Sequence, residues 1–211
     1  MLVAGGILSV TWALMRQFQL VLASQSPRRR ELLTTAGFQF TVRAVAVEET
    51  RAPGEAPEHY ALRLAREKAE ASWQAGPRSA GEVVLGADTI VVLGDIVLEK
   101  PDGTARARSM LQQLSGREHR VITGVCLRHA GGAEVASEST LVKFAKLSAE
   151  EIAEYAASEE PIDKAGAYAI QGLASKFVER IEGCFFNVVG LPLALVYRKL
   201  KDVEADLSSG T

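Results

Sequence analysis

Cysteine is scarce in this chain: Cys126 and Cys184 are the only two among 211 residues. Their separation fits neither a zinc-ligand spacing nor a redox pair, so both read as reduced, partly buried thiols and the chain as an intracellular, cytoplasmic protein. Histidine is equally sparse, and His59, His119 and His129 form no metal-spaced cluster. A basic surplus is missing too. The formal net charge is -2, whereas proteins that track a duplex ordinarily carry an excess of lysine and arginine, so no nucleic-acid partner is expected. No apolar run has the length of a membrane span. Leu2 to Met15 is mostly apolar but too short, and it lacks the basic start of a secretory signal. Residues 1–16 therefore read as an N-terminal extension, either a peripheral helix or a start-site artefact with translation beginning at Met15. The phosphate-loop signature ending in Gly-Lys-Ser/Thr, the dinucleotide Gly-x-Gly-x-x-Gly pattern and the serine-hydrolase elbow are all absent.

With 47% hydrophobic and 24% charged residues, the chain has an ordinary soluble composition and enough length to bury a substantial core as one domain. Residues 17–205 read as that domain and 206–211 as a fraying tail. Phe18 to Ala23 has the pattern of a short buried strand, followed by a helix from Pro27 to about Ala36 that stops at Gly37. Phe38 to Val45 reads as a strand, Glu48 to Pro57 as a loop, and Glu58 to Ala75 as an amphipathic helix. Val83 to Leu93 and Ile96 to Leu98 form a hairpin across Gly94-Asp95. A helix over Ala105 to Leu114, strands over Arg117 to His129 and Glu134 to Ala145, and a capping box at Ser148 and Glu151 follow. Strand-like pieces at Tyr168 to Ile170, Lys176 to Ile181 and Phe185 to Val189 precede a Pro192-initiated helix to about Val203. This irregular interleaving predicts an α/β fold with a mixed central sheet flanked by helices.

Ser24-Gln25-Ser26-Pro27-Arg28-Arg29-Arg30 sets three guanidinium groups in the first turn of a helix that begins with a good N-cap, Ser26, and a Pro at its first position. Each cation there forfeits roughly 0.3–1 kcal/mol against the macrodipole. A bound polyphosphate would reverse that penalty, using arginine forks and backbone N–H groups together; a solvated basic turn is the plainer alternative. Asp88 interrupts the apolar run Val83 to Val92, where an unpaired carboxylate is costly. It reads either as a metal ligand or proton acceptor in phosphate chemistry, or as a strand-end aspartate bonded to amides. Glu48 and Glu49 lie on a loop. Were either to meet Asp88, the pair would suit Mg2+. Lys68, Lys100 and Lys164 are further phosphate candidates, and Gln171 offers an amide able to read a base or sugar. Asn187 to Leu193 reads as structural.

Seven segments occur in order: Leu22-Ala23-Ser24-Gln25-Ser26-Pro27-Arg28-Arg29, Leu64 to Lys68, Gly86 to Thr89, Glu99 to Pro101, Asp163 to Tyr168, Ile170 to Gly172 and Val188 to Pro192. Together they closely resemble the Maf family over about residues 18–200. The resemblance implies an elongated fold like that of inosine triphosphate pyrophosphatases, with two lobes around a central cleft. It also implies a nucleoside triphosphate pyrophosphatase that uses a divalent metal, Mg2+ or Mn2+. By the same resemblance Asp88 is the proton acceptor, Glu49 a carboxylate near the metal, and Ser24, Arg28, Arg29, Lys68, Lys100 and Lys164 the phosphate-site residues. Arg28, Thr89 and Gln171 match the branch acting on dTTP and UTP, with modified pyrimidine triphosphates as additional substrates. A homodimer is also expected. The alternative implied by the family is a nucleotide-binding regulator of septum formation that need not hydrolyse its ligand. Cys184, where the family often has Ser, and residues 1–16 depart from the pattern.

Overall fold

A computed structural model describes residues 18–209; the expected extension, residues 1–16, lies outside the described residues. Strand β1 (Gln19–Leu22) leads into helix α1 (Pro27–Thr35), and β2 (Phe40–Val42) returns beside β1 in parallel. Ser26 caps α1, its hydroxyl accepting from the Arg29 amide, and Gly37 ends the turn at φ 78°, the left-handed region that glycine adopts without strain. Helix α2 (Pro57–Gln74) precedes the long strand β3 (Glu82–Leu93), which forms a hairpin with β4 (Ile96–Leu98). After α3 (Thr104–Leu114), β5 (Glu118–His129) and β6 (Gly132–Phe144) add antiparallel strands, α4 (Ala149–Ala157) starts on the expected Ser148/Glu151 capping box, and β7 (Val178–Glu182) closes the edge. The seven strands form one mixed sheet in the order β2-β1-β3-β5-β6-β7, with β4 also on β3. Helices α5 (Phe185–Val189) and α6 (Leu193–Ser209) complete the chain.

Two features of β3 shape the space around it. First, β1 accompanies it only as far as Leu85, where the Ala23 amide donates to the Leu85 carbonyl at 2.8 Å. β1 then departs into α1 while β3 continues, which opens a crevice beyond the carboxyl ends of the parallel strands, where open α/β sheets bind ligands. Second, α2 rests on backbone rather than side chains. A methyl group on Gly86 would lie 2.2 Å from the Ala65 carbonyl oxygen, and one on Gly124 would lie 2.4 Å from that of Ala61. Gly124 pairs with Asp88 across β3 and β5, so the close approach of α2 is centred on the strand segment that carries the aspartate.

Four sequence expectations need correction. Phe185 to Val189 is the helix α5, not a strand. A short apolar run has no period to decide between the two, and the helical form turns Asn187 and Val189 inward while Phe185 and Phe186 stay exposed. Tyr168 and Ala169 join no ladder and Ile170 enters a turn that the Gly172 amide closes on the Ala169 carbonyl at 3.0 Å; the Ala169 amide instead donates to the Tyr155 hydroxyl at 3.3 Å. The expected strand at Phe38 to Val45 is limited to Phe40–Val42, because β1, its only neighbour among the described residues, is itself short. Helix α6 runs to Ser209 rather than ending near Val203; no Gly or Pro interrupts the chain before Gly210.

The core joins the sheet to α3, α4 and α6 through side chains such as Leu85, Leu111, Leu114, Phe144 and Phe177. His119 is buried among them, its Nε2 2.8 Å from the Tyr168 hydroxyl and its ring edge-on to Phe144. Burial pushes its pKa from 6.5 down to about 4. Between those values the unfolded chain takes up a proton that the folded ring refuses, so folding stability falls as pH drops through that window. At about 1.4 kcal/mol per unit, the loss approaches about 3 kcal/mol at the acid end. His119→Gln, which has no titrating proton there, should flatten the pH dependence of the denaturant midpoint over the same range. An unchanged slope would assign the acid sensitivity to other groups.

Candidate active site

The crevice beside β3 is a cleft of about 560 Å³. Ser24, Arg28 and Arg29 reach it from the β1–α1 junction, Lys68 from α2, and Asp88 and Thr89 from β3. Glu49, Lys100, Lys164 and Gln171 reach it from loops. All ten site residues expected from the sequence therefore line one cavity. Arg30 and Glu48 do not. Arg30 is exposed on α1 outside the cleft, so the basic turn contributes two guanidinium groups rather than three. Glu48 accepts from the Thr50 hydroxyl at 3.0 Å, also outside the cleft.

One wall is cationic. Arg29 is 9% exposed and donates from Nε to the Gly190 carbonyl at 2.8 Å, from Nη1 to Ser24 Oγ at 3.3 Å and from Nη2 to Thr89 Oγ1 at 3.0 Å. These acceptors are all neutral; among the described residues no carboxylate lies within ion-pair distance of Arg29. Burial pulls its pKa down, Asp88 opposes that shift across the cleft, and Arg28 adds to it. A buried guanidinium whose protein partners are neutral oxygens keeps its charge uncompensated and suits an anionic ligand. Its support extends deep into the sheet. Thr89 Oγ1 lies 2.9 Å from Thr123 Oγ1, Thr123 donates to the Asn187 carbonyl, and the fully buried Asn187 amide donates to Val121 O at 2.9 Å and Thr140 Oγ1 at 3.0 Å. Arg28, nearer solvent, pairs with Asp163 at 3.4 Å, and Asp163 also pairs with Lys164.

The other wall gathers the carboxylates. Lys68 Nζ lies 2.6 Å from Asp88 Oδ1 and 2.6 Å from Glu49 Oε1, while Lys100 Nζ lies 3.5 Å from Glu49 Oε2. Partial burial disfavours the charged form of Glu49, but Lys68 and Lys100 outweigh it and hold its carboxyl below the usual carboxylate range. The Glu49 loop is stapled to α2: Tyr60 donates to the Glu49 carbonyl at 2.8 Å, and Arg63 donates to Thr50 O at 3.0 Å and to both Glu55 carboxylate oxygens. Asp88 is 7% exposed, and its Oδ2 has no hydrogen-bond partner among the described residues.

Two carboxylates from separate segments thus converge on a single cation, here an ammonium. No group of three or more His, Cys, Asp or Glu side chains able to hold a metal occurs among the described residues. The donor set fits Mg2+ or Mn2+ bound through one or two carboxylates, with water and substrate phosphate completing the shell, and it does not fit a cage made by the protein alone.

Sequence reasoning missed Thr123, Asn187, Tyr60 and the carbonyl of Gly190. Hydroxyl, amide and carbonyl groups of this kind carry no local signal; only the register of β3 against β5 and the helical turn at α5 bring Thr123, Asn187 and Gly190 behind Arg29, and only the packing of α2 brings Tyr60 to the Glu49 carbonyl. Arg29→Lys retains the charge but loses the fork that engages Gly190, Ser24 and Thr89. It should reduce kcat/KM on the order of 10- to 100-fold, as expected when charge-assisted hydrogen bonds are lost. Steady-state assays with saturating metal would measure this, and a change below twofold would remove Arg29 from the anion site.

A mixed α/β sheet with a crevice at the ends of its parallel strands, cationic on one side and carboxylate-bearing on the other, defines an α/β protein built to receive a small anionic ligand. The chain belongs to the Maf family: the model for Maf-like protein matches residues 19–203. Relatives named dTTP/UTP pyrophosphatase include one from Koribacter versatilis, 50% identical over 86% of this chain and 93% of its own. A second, from Anaeromyxobacter dehalogenans, is 53% identical over 83% and 89%. A third, from Vibrio cholerae, is 52% identical over 83% and 92%. Among solved structures, the Staphylococcus aureus Ham1 protein is similar over 60% of this chain and 71% of its own, with 15% identity and a TM-score of 0.43, too slight a likeness to bear on the site. No helix among the described residues is long and apolar enough to cross a membrane.

Proposed function

We propose that this protein is a nucleoside triphosphate pyrophosphatase that hydrolyses dTTP and UTP to the nucleoside monophosphate and pyrophosphate. The observation that carries the reading is the pairing of opposites in one cleft: a buried guanidinium with no counter-ion among the described residues faces a carboxylate pair bridged by Lys68. Relatives about half identical over most of the chain bear the same activity in their names.

In this reading the triphosphate tail lies against Arg29, Arg28, Ser24 and the first turn of α1, whose N–H groups and macrodipole favour anions. Asp88 Oδ2, without a hydrogen-bond partner among the described residues, takes a proton from the water that attacks the α-phosphorus. The bond from that phosphorus to the bridging oxygen of the β-phosphate breaks, and pyrophosphate leaves with the negative charge. Arg28, Arg29, Lys100 and Lys164 stabilise that charge, a contribution that speeds the reaction to the extent that it grows as the bond breaks. Glu49 and Asp88 would hold a divalent cation, which would supply neutralisation of phosphate charge. Lys68 keeps the two carboxylates together. Thr89 serves through Arg29, and Gln171 reads the pyrimidine edge. The free thiols of Cys126 and Cys184 support a reducing compartment, the cytoplasm. The exposed pair Phe185 and Phe186 supports an interface for a homodimer.

A panel of canonical and modified triphosphates, incubated with Mg2+ or Mn2+ and resolved for pyrophosphate and orthophosphate, tests the proposal. UTP, dTTP and 5-methyl-UTP should yield pyrophosphate and the monophosphate. Release of orthophosphate as the first product, or a preference for purines, would contradict it.

A further inference from the structure

Gln171 is exposed at the cleft, on a segment that belongs to no strand and holds no ladder. Something else must keep it in place. A turn closed by the Gly172 amide on the Ala169 carbonyl at 3.0 Å carries Gln171, and the N–H groups flanking that turn end on a single pair of side chains, Tyr155 and Glu160. On one side, the Ala169 amide donates to the Tyr155 hydroxyl at 3.3 Å, and that hydroxyl donates to Glu160 Oε1 at 2.8 Å. On the other, the Leu173 amide donates to Glu160 Oε2 at 3.0 Å and the Ala174 amide to Oε1 at 3.4 Å. Gly172 leaves room for the carboxylate, since a Cβ there would lie 2.1 Å from Glu160 Oε2. The Glu160 main chain acts on the same stretch, its carbonyl accepting from Lys164 Nζ at 2.9 Å.

We infer that Glu160, with Tyr155, is a positioning residue for nucleobase selection: it fixes the backbone from which Gln171 reads the pyrimidine, an inference that rests on the proposed pyrimidine triphosphate activity. The chemistry requires such a device. Uracil presents an N3–H donor beside an O4 acceptor, and cytosine presents the reverse. A primary amide offers one donor and one acceptor, and rotation by half a turn exchanges them. Whichever way the amide is turned, it meets N3 and the exocyclic group of the base only from a main chain at a fixed distance and angle; a loose main chain weakens both contacts and with them the cost of leaving the wrong base unpaired.

The test compares Glu160→Gln, Tyr155→Phe, Gln171→Ala and the Glu160→Gln/Gln171→Ala double variant. For each, kcat and KM are measured with UTP and with CTP, alongside the thermal midpoint. Glu160→Gln replaces one acceptor oxygen with a donor, and Tyr155→Phe removes the hydroxyl that joins Ala169 to Glu160. Each should lower the UTP-over-CTP ratio of kcat/KM by about tenfold, the worth of one well-made hydrogen bond, chiefly through KM. The double variant should show a ratio no lower than Gln171→Ala alone. If Gln171→Ala lowers the ratio while Glu160→Gln and Tyr155→Phe slow both nucleotides equally, Glu160 is only structural and the inference fails. If Gln171→Ala leaves the ratio unchanged, the pyrimidine reading at Gln171 fails and the inference falls with it.

Discussion

Asp88→Asn should lower kcat by roughly 10²- to 10⁴-fold, the usual contribution of a positioned general base, while the protein continues to bind UTP. The substitution preserves shape in a strand where space is tight, because Asp88 pairs with Gly124 beneath the closely packed helix α2. It removes the carboxylate whose Oδ2 has no partner among the described residues and leaves Lys68 paired with Glu49 at 2.6 Å. Turnover measured as pyrophosphate release, alongside calorimetric binding of UTP, separates chemistry from binding. Unchanged turnover would remove Asp88 as the base. Lost turnover with binding retained would place Asp88 in the chemistry rather than in the grip on the nucleotide.

The second large effect concerns stability and lies just outside the cleft. Arg43 follows β2 and pairs with Glu82 through Nη2–Oε1 at 2.5 Å and Nη1–Oε2 at 3.2 Å, and its Nε donates to the Ser72 carbonyl at the end of α2. Glu82 is 2% exposed. Arg43→Ala would strand its carboxylate in the interior, and breaking a buried pair from one side costs about 3–5 kcal/mol. The double substitution Arg43→Met/Glu82→Leu should recover most of that loss, because a packed apolar pair is often as stable as a buried ion pair. Denaturant unfolding of the two variants provides the measurement. If the double variant were as unstable as the single one, packing around Gly76 and Ser72, rather than the uncompensated charge, would account for the cost. The wall at Ala44 to Val47 begins directly after Arg43, so activity should follow stability across the series.

The parts of this fold that were legible in the sequence are those determined by neighbours in the chain. The Ser26 cap, the Gly37 stop, the Gly94 hairpin and the Ser148/Glu151 box each depend on a few adjacent residues, and each is present. Phe185 to Val189 was not legible, because an apolar run this short packs either as a strand or as a helix, and the choice depends on burying Asn187 against Val121 and Thr140. At the site, the residue types pointed to phosphate chemistry, but their relations did not follow from spacing. Nothing local distinguishes Glu49 from Glu48, or Arg29 from Arg30. Glu49 meets Lys68 only because Tyr60 and Arg63 tie its loop to α2, and Arg29 becomes buried only because Gly190 and Thr89 arrive from distant segments. Glu160 left no trace at all, since an acidic residue beside a proline ordinarily reads as solvent-exposed.

The central claim is that water, activated at Asp88, attacks the α-phosphorus of a pyrimidine triphosphate gripped by the α1 turn. Hydrolysis of UTP in H₂¹⁸O, with mass spectrometry of both products, tests it most directly. The label should enter the phosphate of UMP and be absent from pyrophosphate. Label in pyrophosphate would place the attack on the β-phosphorus, label in orthophosphate would place it on the γ-phosphorus, and either result would contradict the account.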